Sequence, residues 1–196
     1  LATPMSIMVG VGRGAQMGLL IRDAEALERM EKVDTLVVDK TGTLTEGKPS
    51  VAAIVTQEGF EEAEALRLAA AVERPSEHPL AHAIVAAAEA RGLAIPKVRG
   101  FDSPVGKGAY GLIEGKRVAI GSAAFLSELG IDPAPLHERA DELRGEGASV
   151  VLLGVNGKLA AALAIADPVK ATTPAALAAL AKEGIRVVML TGDNRV

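Results

Sequence analysis

Asp39 is the residue from which the chemistry of this chain is best argued. It follows the apolar run Thr35-Leu36-Val37-Val38 and opens the stretch Lys40-Thr41-Gly42-Thr43-Leu44-Thr45. An acidic side chain thus stands where a strand should give way to a polar loop. In an α/β fold, residues just past the carboxyl end of such a strand face the ligand crevice. A carboxylate placed there can attack a phosphoryl group and carry it as an acyl phosphate. The plainer alternative is an aspartate that caps the next turn. Two further polar segments, Asp167-Pro168-Val169-Lys170 and Thr191-Gly192-Asp193, lie late in the chain, the second directly after the apolar run Arg186 to Leu190.

A second group of residues suits a ligand with a flat ring and phosphates. Ser76-Glu77-His78-Pro79-Leu80-Ala81 reads as a helix start, with Pro79 in the first turn and Ser76 or exposed backbone donors free to hold a ligand. A neutral imidazole at His78 can stack on or hydrogen-bond a purine; it can equally serve as a helix cap. His78 and His82 have the spacing of a zinc pair, but no Glu follows His78 and no thiol is nearby, so zinc is set aside. The glycines of Gly106-Lys107-Gly108 would let backbone approach a phosphate chain without a Cβ in the way, or would form a hairpin bend. Gly42 to Lys48 satisfies GxxxxGK, yet Pro49 stands where magnesium needs Ser or Thr and no helix is expected there, which excludes a P-loop. Gly10-x-Gly12-x-x-Ala15 runs into a charged helical stretch, Asp23 to Lys32, so a dinucleotide fingerprint is excluded as well.

The elements that must position these residues follow from periodicity. Residues 61–73 and 79–91 have helical apolar spacing, carried by Leu66, Ala69 and Ala70 and by Leu80, Ile84 and Val85. Gly111 to Ile120 predicts a hairpin turning near Glu114-Gly115. Val150 to Ile165 predicts another, turning at Asn156-Gly157, a pair suited to a type I′ turn. Asp132 to Gly145 reads as a charged surface helix with Pro133 at its start. A helix capped by Thr173, begun by Pro174 and closed by Gly184 leads to the strand Arg186 to Leu190. Antiparallel hairpins inside an otherwise parallel scheme imply an inserted domain. The expected fold is α/β, a Rossmann-like domain interrupted by an α+β domain with a mainly antiparallel sheet.

The chain has 196 residues, a formal net charge of −4, no cysteine, and 49% hydrophobic but only 2% aromatic residues. Ala, Leu, Val and Ile must therefore build nearly all of its core. The acidic balance argues against a nucleic-acid partner, which demands a basic face. Absence of cysteine excludes disulfides and thiolate metal sites within this sequence. Leu1 to Gly12 is apolar but is interrupted by Arg13, short of the roughly 20 residues that span a bilayer. It lacks the layout of a signal peptide and, opening inside a hydrophobic segment, reads as an excised piece. Gly10, Gly14 and Gly18 recur at spacing four, a small-residue stripe if helical, or a glycine-rich loop.

DKTGTLT at residues 39–45 resembles the phosphorylation signature of P-type cation-transporting ATPases, whose matching aspartate takes the γ-phosphate of ATP. Residues 1–49 are similar to the heavy-metal P-type ATPases, from a metal-site membrane helix out to the phosphorylation loop, in wording nearest the copper(I) exporters. SEHPLA resembles their adenine-recognition motif, and DPVK and TGD resemble their DPxK and TGD motifs. This resemblance implies the cytoplasmic end of a membrane helix at residues 1–22. It further implies a haloacid-dehalogenase-like phosphorylation domain at residues 23–49 and 164–196, and an inserted nucleotide-binding domain at residues 50–163. It makes Asp39 the phosphorylated residue, with Lys40, Thr41, Thr43, Thr191, Gly192 and Asp193 around the transferring group. Mg²⁺ would be held by the Asp39 carboxylate and the Thr41 backbone carbonyl. Glu77 and His78 would contact adenine, and Gly106, Gly108 and Gly121 would line the ATP cleft. Where the family has Gly-Asn-Arg this chain has Gly121-Ser122-Ala123, which implies weaker ATP binding unless Lys107 compensates. Thr41 stands where related soluble phosphatases carry a second Asp that discharges the intermediate, so the phosphoaspartate should persist. A GDGxND segment beyond Val196 would supply the main acidic magnesium ligand. The expected partners are ATP, Mg²⁺, a lipid membrane and a heavy-metal cation, Cu(I) first and zinc, cadmium or cobalt otherwise. The protein would be a multi-pass cell-membrane pump whose domains here face the cytoplasm. A soluble haloacid-dehalogenase-type phosphatase and a non-catalytic nucleotide-binding module are the alternatives.

Overall fold

The computed structural model describes residues 2–190. In chain order its elements are α1 (Ala2–Gln16), α2 (Ala24–Met30), β1 (Thr35–Asp39), β2 (Ser50–Thr56), α3 (Glu62–Glu73), α4 (Pro79–Ala90), β3 (Arg99–Asp102), β4 (Gly108–Ile113), β5 (Lys116–Gly121), α5 (Ala123–Glu128), α6 (His137–Gly145), β6 (Ser149–Val155), β7 (Lys158–Ala166), α7 (Thr173–Lys182) and β8 (Arg186–Leu190). They form two compact units, residues 2–40 with 171–190 and residues 41–170.

In the first unit β1 and β8 pair in parallel, from Thr35 opposite Arg186 to Asp39 opposite Leu190. Asp39 therefore ends its strand, as the apolar run before it requires. Pro174 lies in the first turn of α7, but the cap differs from expectation. Thr172 occupies the N-cap with helical backbone and no side-chain bond, and Thr173 is a buried helical residue. A capping side chain needs an extended backbone beneath it, which neither threonine has free to use. Gly184 closes α7 in the left-handed conformation, φ 76°, the usual helix stop. The amino-terminal glycines resolve as helix: Gly10 and Gly14 lie on α1. Gly18 falls beyond it at φ 80°, so the four-residue stripe stops at Gly14, against whose backbone Ile21 packs. No helix among the described residues is long and apolar enough to cross a membrane.

The second unit is one six-stranded antiparallel sheet, order β2-β7-β6-β5-β4-β3, with helices on both faces. Ala161, Leu163 and Ile165 of β7 join Leu66, Ala69, Ala70 and Ile84 of α3 and α4 in one core cluster. Leu159 and Ala162 of the same strand join Phe125, Leu126 and Ala140 in the other. That double covering explains why β7 reads as a continuous apolar run rather than an alternating one. Both hairpins turn where the sequence places them, with Glu114 and Gly115 at φ 50° and 80° and Asn156 and Gly157 at φ 50° and 79°; two successive positive φ values make type I′ turns. The expected helix from Asp132 to Gly145 is instead a 3₁₀ turn, Ala134–Leu136, followed by α6. Pro135 has no N–H and crowds the residue before it, which breaks the helix there. β2, β3 and α5 were not legible from periodicity: β3 is four residues long and α5 six.

Candidate functional site

In the second unit the end of α3, the start of α4, the loop before β4, the end of β5 and the start of β6 enclose a cleft of about 620 Å³. That volume suits a drug-sized ligand. Glu77, His78, Gly106, Gly108 and Gly121 all line it, so residues picked from three separate segments converge on one place. Glu77 stands exposed at the rim. His78 is the N-cap of α4: its Nδ1 accepts the backbone N–H of Leu80 at 3.1 Å. An accepting Nδ1 carries no proton, so the capping ring is an Nε2–H tautomer with that donor left over for a ligand. Cap and ligand roles thus use different nitrogens of one ring. His82 is exposed and away from the cleft, and no group of His, Cys, Asp or Glu among the described residues is arranged to hold a metal ion.

Sequence reasoning passed over Glu73, which lines the same cleft half-buried. Burial pushes its carboxyl above the usual range, and a hydrogen bond from Ser76 offsets this in part. The signal was present: Glu73 falls seven residues after Leu66 and four after Ala69, on the buried stripe of α3.

The glycines divide by role. Gly106 has φ 72° and open space around a hypothetical Cβ. Gly108 and Gly121 face each other in register across β4 and β5. A Cβ on Gly108 would lie 2.2 Å from the Ile120 carbonyl oxygen, and one on Gly121 would lie 2.5 Å from that of Lys107. Both glycines are thus required by the close approach of the two strands, and both line the cleft. Ser122 caps α5 by accepting the Phe125 N–H at 3.2 Å, a task an asparagine also performs.

Asp39 is exposed at the end of β1, and Lys40 follows it. Beyond them Thr41 is extended and Gly42 left-handed, φ 76°. The rest of the loop is fastened by the DPVK segment, within the second unit. The Asp167 carboxylate accepts from Thr45 Oγ1 at 2.5 Å, Gly47 N at 3.1 Å and Lys48 N at 3.1 Å. Lys170 donates its ammonium to the Gly42 carbonyl at 2.7 Å and its backbone N–H to Leu44 O at 3.0 Å. Thr45, buried, accepts in turn from Gly42 N at 3.1 Å. Asp167 and Lys170 therefore fix the course of Gly42 to Lys48. Thr191, Gly192 and Asp193 lie outside the described residues.

The family model for haloacid dehalogenase-like hydrolases matches residues 33–196. The chain is 60% identical, over its whole length, to 26% of a copper-exporting P-type ATPase of Legionella pneumophila. It is 57% identical, again over its whole length, to 24% of a silver-exporting P-type ATPase of Salmonella typhimurium. A crystal structure of a zinc-transporting PIB-type ATPase in its E2.Pi state superposes with a TM-score of 0.88 at 38% identity, covering 98% of this chain and 31% of that one. The chain thus spans about a quarter of the length of the curated relatives it matches. It belongs to the haloacid dehalogenase-like hydrolases and, within them, to the heavy-metal P-type ATPases.

Proposed function

We propose that this chain is the ATP-binding and phosphoryl-accepting part of a membrane pump that exports a heavy-metal cation, Cu(I) first among them. The observation that carries the reading is the convergence of Glu77, His78, Gly106, Gly108 and Gly121 on one cleft in a chain whose Asp39 ends a parallel strand. Residues 50–163 would be the nucleotide-binding domain, inserted in a phosphorylation domain of residues 23–49 and 164–196, after the end of a membrane helix at residues 1–22. His78 Nε2–H would donate to a ring nitrogen of adenine. The Glu73 carboxylate would accept from the base's amino edge, a contact that guanine, with a carbonyl there, would not offer to the ionised group.

Phosphoryl transfer depends on positioning and charge neutralisation more than on covalent help. The Asp39 carboxylate would attack the γ-phosphorus and ADP would leave, giving a phosphoaspartate. Lys40 and the hydroxyls of Thr41 and Thr43 would stabilise the oxygens of the group in flight, as would Thr191, Gly192 and Asp193. The Asp39 carboxylate and the Thr41 carbonyl are hard oxygen donors of the kind Mg²⁺ takes alongside phosphate oxygens and water, and both residues are exposed. When bound, the ion supplies neutralising charge. Thr41 supplies no base to activate water, so the acyl phosphate would outlive the transfer step and could drive a conformational change. This disfavours a soluble phosphatase. The names of the relatives, which give copper and silver export, favour copper, taken as Cu(I), over zinc, cadmium or cobalt. The domains here would sit on the cytoplasmic side, where ATP is.

The test is acid-quenched labelling of the intact pump in membranes with γ-labelled ATP. A hydroxylamine-sensitive phosphoprotein that depends on Cu(I) and is lost in Asp39→Asn is expected. Labelling that survives Asp39→Asn, or that requires only Zn²⁺, would overturn the assignment of nucleophile or cargo respectively.

A further inference from the structure

The cleft wall carries two carboxylates, Glu73 and Glu77, and one ammonium or guanidinium group, that of Lys107. A polyanionic ligand there has a single cation to meet. That cation is already engaged: Lys107 Nζ lies 2.6 Å from Glu128 Oε2, at the last residue of α5. The backbone beneath it is held firmly. Lys107 N donates to Pro104 O at 3.1 Å, and Lys107 O accepts from Ser122 N at 3.2 Å. Gly108, next in the chain, has no room even for a Cβ. The loop is therefore fixed while the side chain is not, since Lys107 and Glu128 are 49% and 54% exposed. An ion pair this exposed is worth about 1 kcal/mol or less and exchanges partners on the timescale of rotamer motion.

We propose that Lys107 reads the phosphates of the bound nucleotide and that Glu128 is a built-in competitor, holding the ammonium until a polyphosphate takes it. This rests on the adenine-nucleotide reading of the cleft. It accounts for a site whose neighbouring Ser122 and Ala123 offer no cation. Affinity is then graded by phosphate number through one side chain, and Glu128 sets how tight the triphosphate can bind. Neutralising either member of this pair acts on the phosphate end of the ligand and leaves the base end untouched.

The test is calorimetric titration of the 196-residue chain with adenosine, AMP, ADP and ATP, in parallel with Lys107→Gln, Lys107→Arg, Glu128→Gln and the Lys107→Gln/Glu128→Gln pair. Lys107→Gln should weaken ATP about tenfold, the loss of one charge-assisted hydrogen bond, and leave adenosine unchanged. Lys107→Arg should retain ATP affinity. Glu128→Gln should tighten ATP about threefold to fivefold, the release of one exposed ion pair, and this gain should vanish when Lys107 is also replaced. The proposal is overturned if Glu128→Gln leaves ATP affinity unchanged. A gain that persists equally without Lys107 also overturns it, because removal of any negative charge would then suffice. So does an equal loss of adenosine and ATP in Lys107→Gln. If the unaltered chain binds none of the four ligands, adenosine included, the cleft reading itself fails and the competitor role goes with it.

Discussion

His78 does two jobs with two nitrogens, and substitutions can separate them. Its Nδ1 caps α4 through Leu80 N at 3.1 Å, a cap whose loss costs about 1 kcal/mol. For a chain of this length that is a fall of roughly 2–4 °C in Tm. Its Nε2–H, assigned to the adenine, is worth about 1 kcal/mol as a neutral hydrogen bond. Loss of ring stacking adds to this, for a fivefold to tenfold drop in ATP affinity by the usual conversion. His78→Ala should lose both. His78→Asn should lose only the second, since asparagine is among the best N-cap residues and is too short to replace the imidazole in the cleft. Thermal unfolding by far-UV circular dichroism and calorimetric ATP titration read the two effects separately. An Asn variant that binds ATP as tightly as the parent would refute the ligand role. An Ala variant as stable as the parent would refute the cap.

Three other outcomes follow from the geometry. Gly108→Ala should destabilise the second unit by about 3 kcal/mol, the upper end for overpacking, against the Ile120 carbonyl. Gly106→Ala, which has room but sits at φ 72°, should cost only about 1 kcal/mol; equal urea midpoints for the two would contradict the division of roles. Glu64 is held down from 4.5 to about 2, first by its hydrogen bond with Arg67 and then by Lys116, against the opposing effect of burial. Its contribution is present above pH 4.5 and lost as pH falls toward 2, about 1–2 kcal/mol after screening. Glu64→Gln should therefore lower stability at neutral pH and flatten the acid limb of the denaturation profile. Asp167→Ala removes the acceptor for Thr45, Gly47 and Lys48, at a cost of about 2–4 kcal/mol. It should abolish amide hydrogen-exchange protection at Gly47 and Lys48; retained protection would show that the loop holds its course without Asp167.

What the sequence showed and hid follows the range of the forces involved. Turn chemistry is local, so Asn156-Gly157 and Glu114-Gly115 announce their hairpins. The buried stripes of α3 and α4 are set by spacing alone, and the start of α4 by Pro79 in its first turn. Glu73 is readable from the same stripe, as an acidic residue on a buried helix face. The fastening of the loop by Asp167 was not readable, because 122 residues separate it from Thr45 and no pattern links them. The steric need for Gly108 and Gly121 was also hidden, because it lies in the approach of two strands over Phe125, which no local pattern shows. Likewise Lys107 was visible as a cation, but its pairing with Glu128 depends on where α5 ends.

The proposed function depends first on the cleft between α3, α4 and the ends of β4 to β6 being the nucleotide site. Backbone-amide NMR of the 196-residue chain during ATP titration tests it most directly. Nucleotide in the cleft gives saturable shifts at Ser76, Glu77, His78 and Leu80, at Gly106 to Gly108 and at Gly121 and Ser122, with little change elsewhere in the sheet. Shifts gathered instead in the groove of Tyr110, Leu112, Arg99 and Arg117, or no shifts at millimolar ATP, would contradict it.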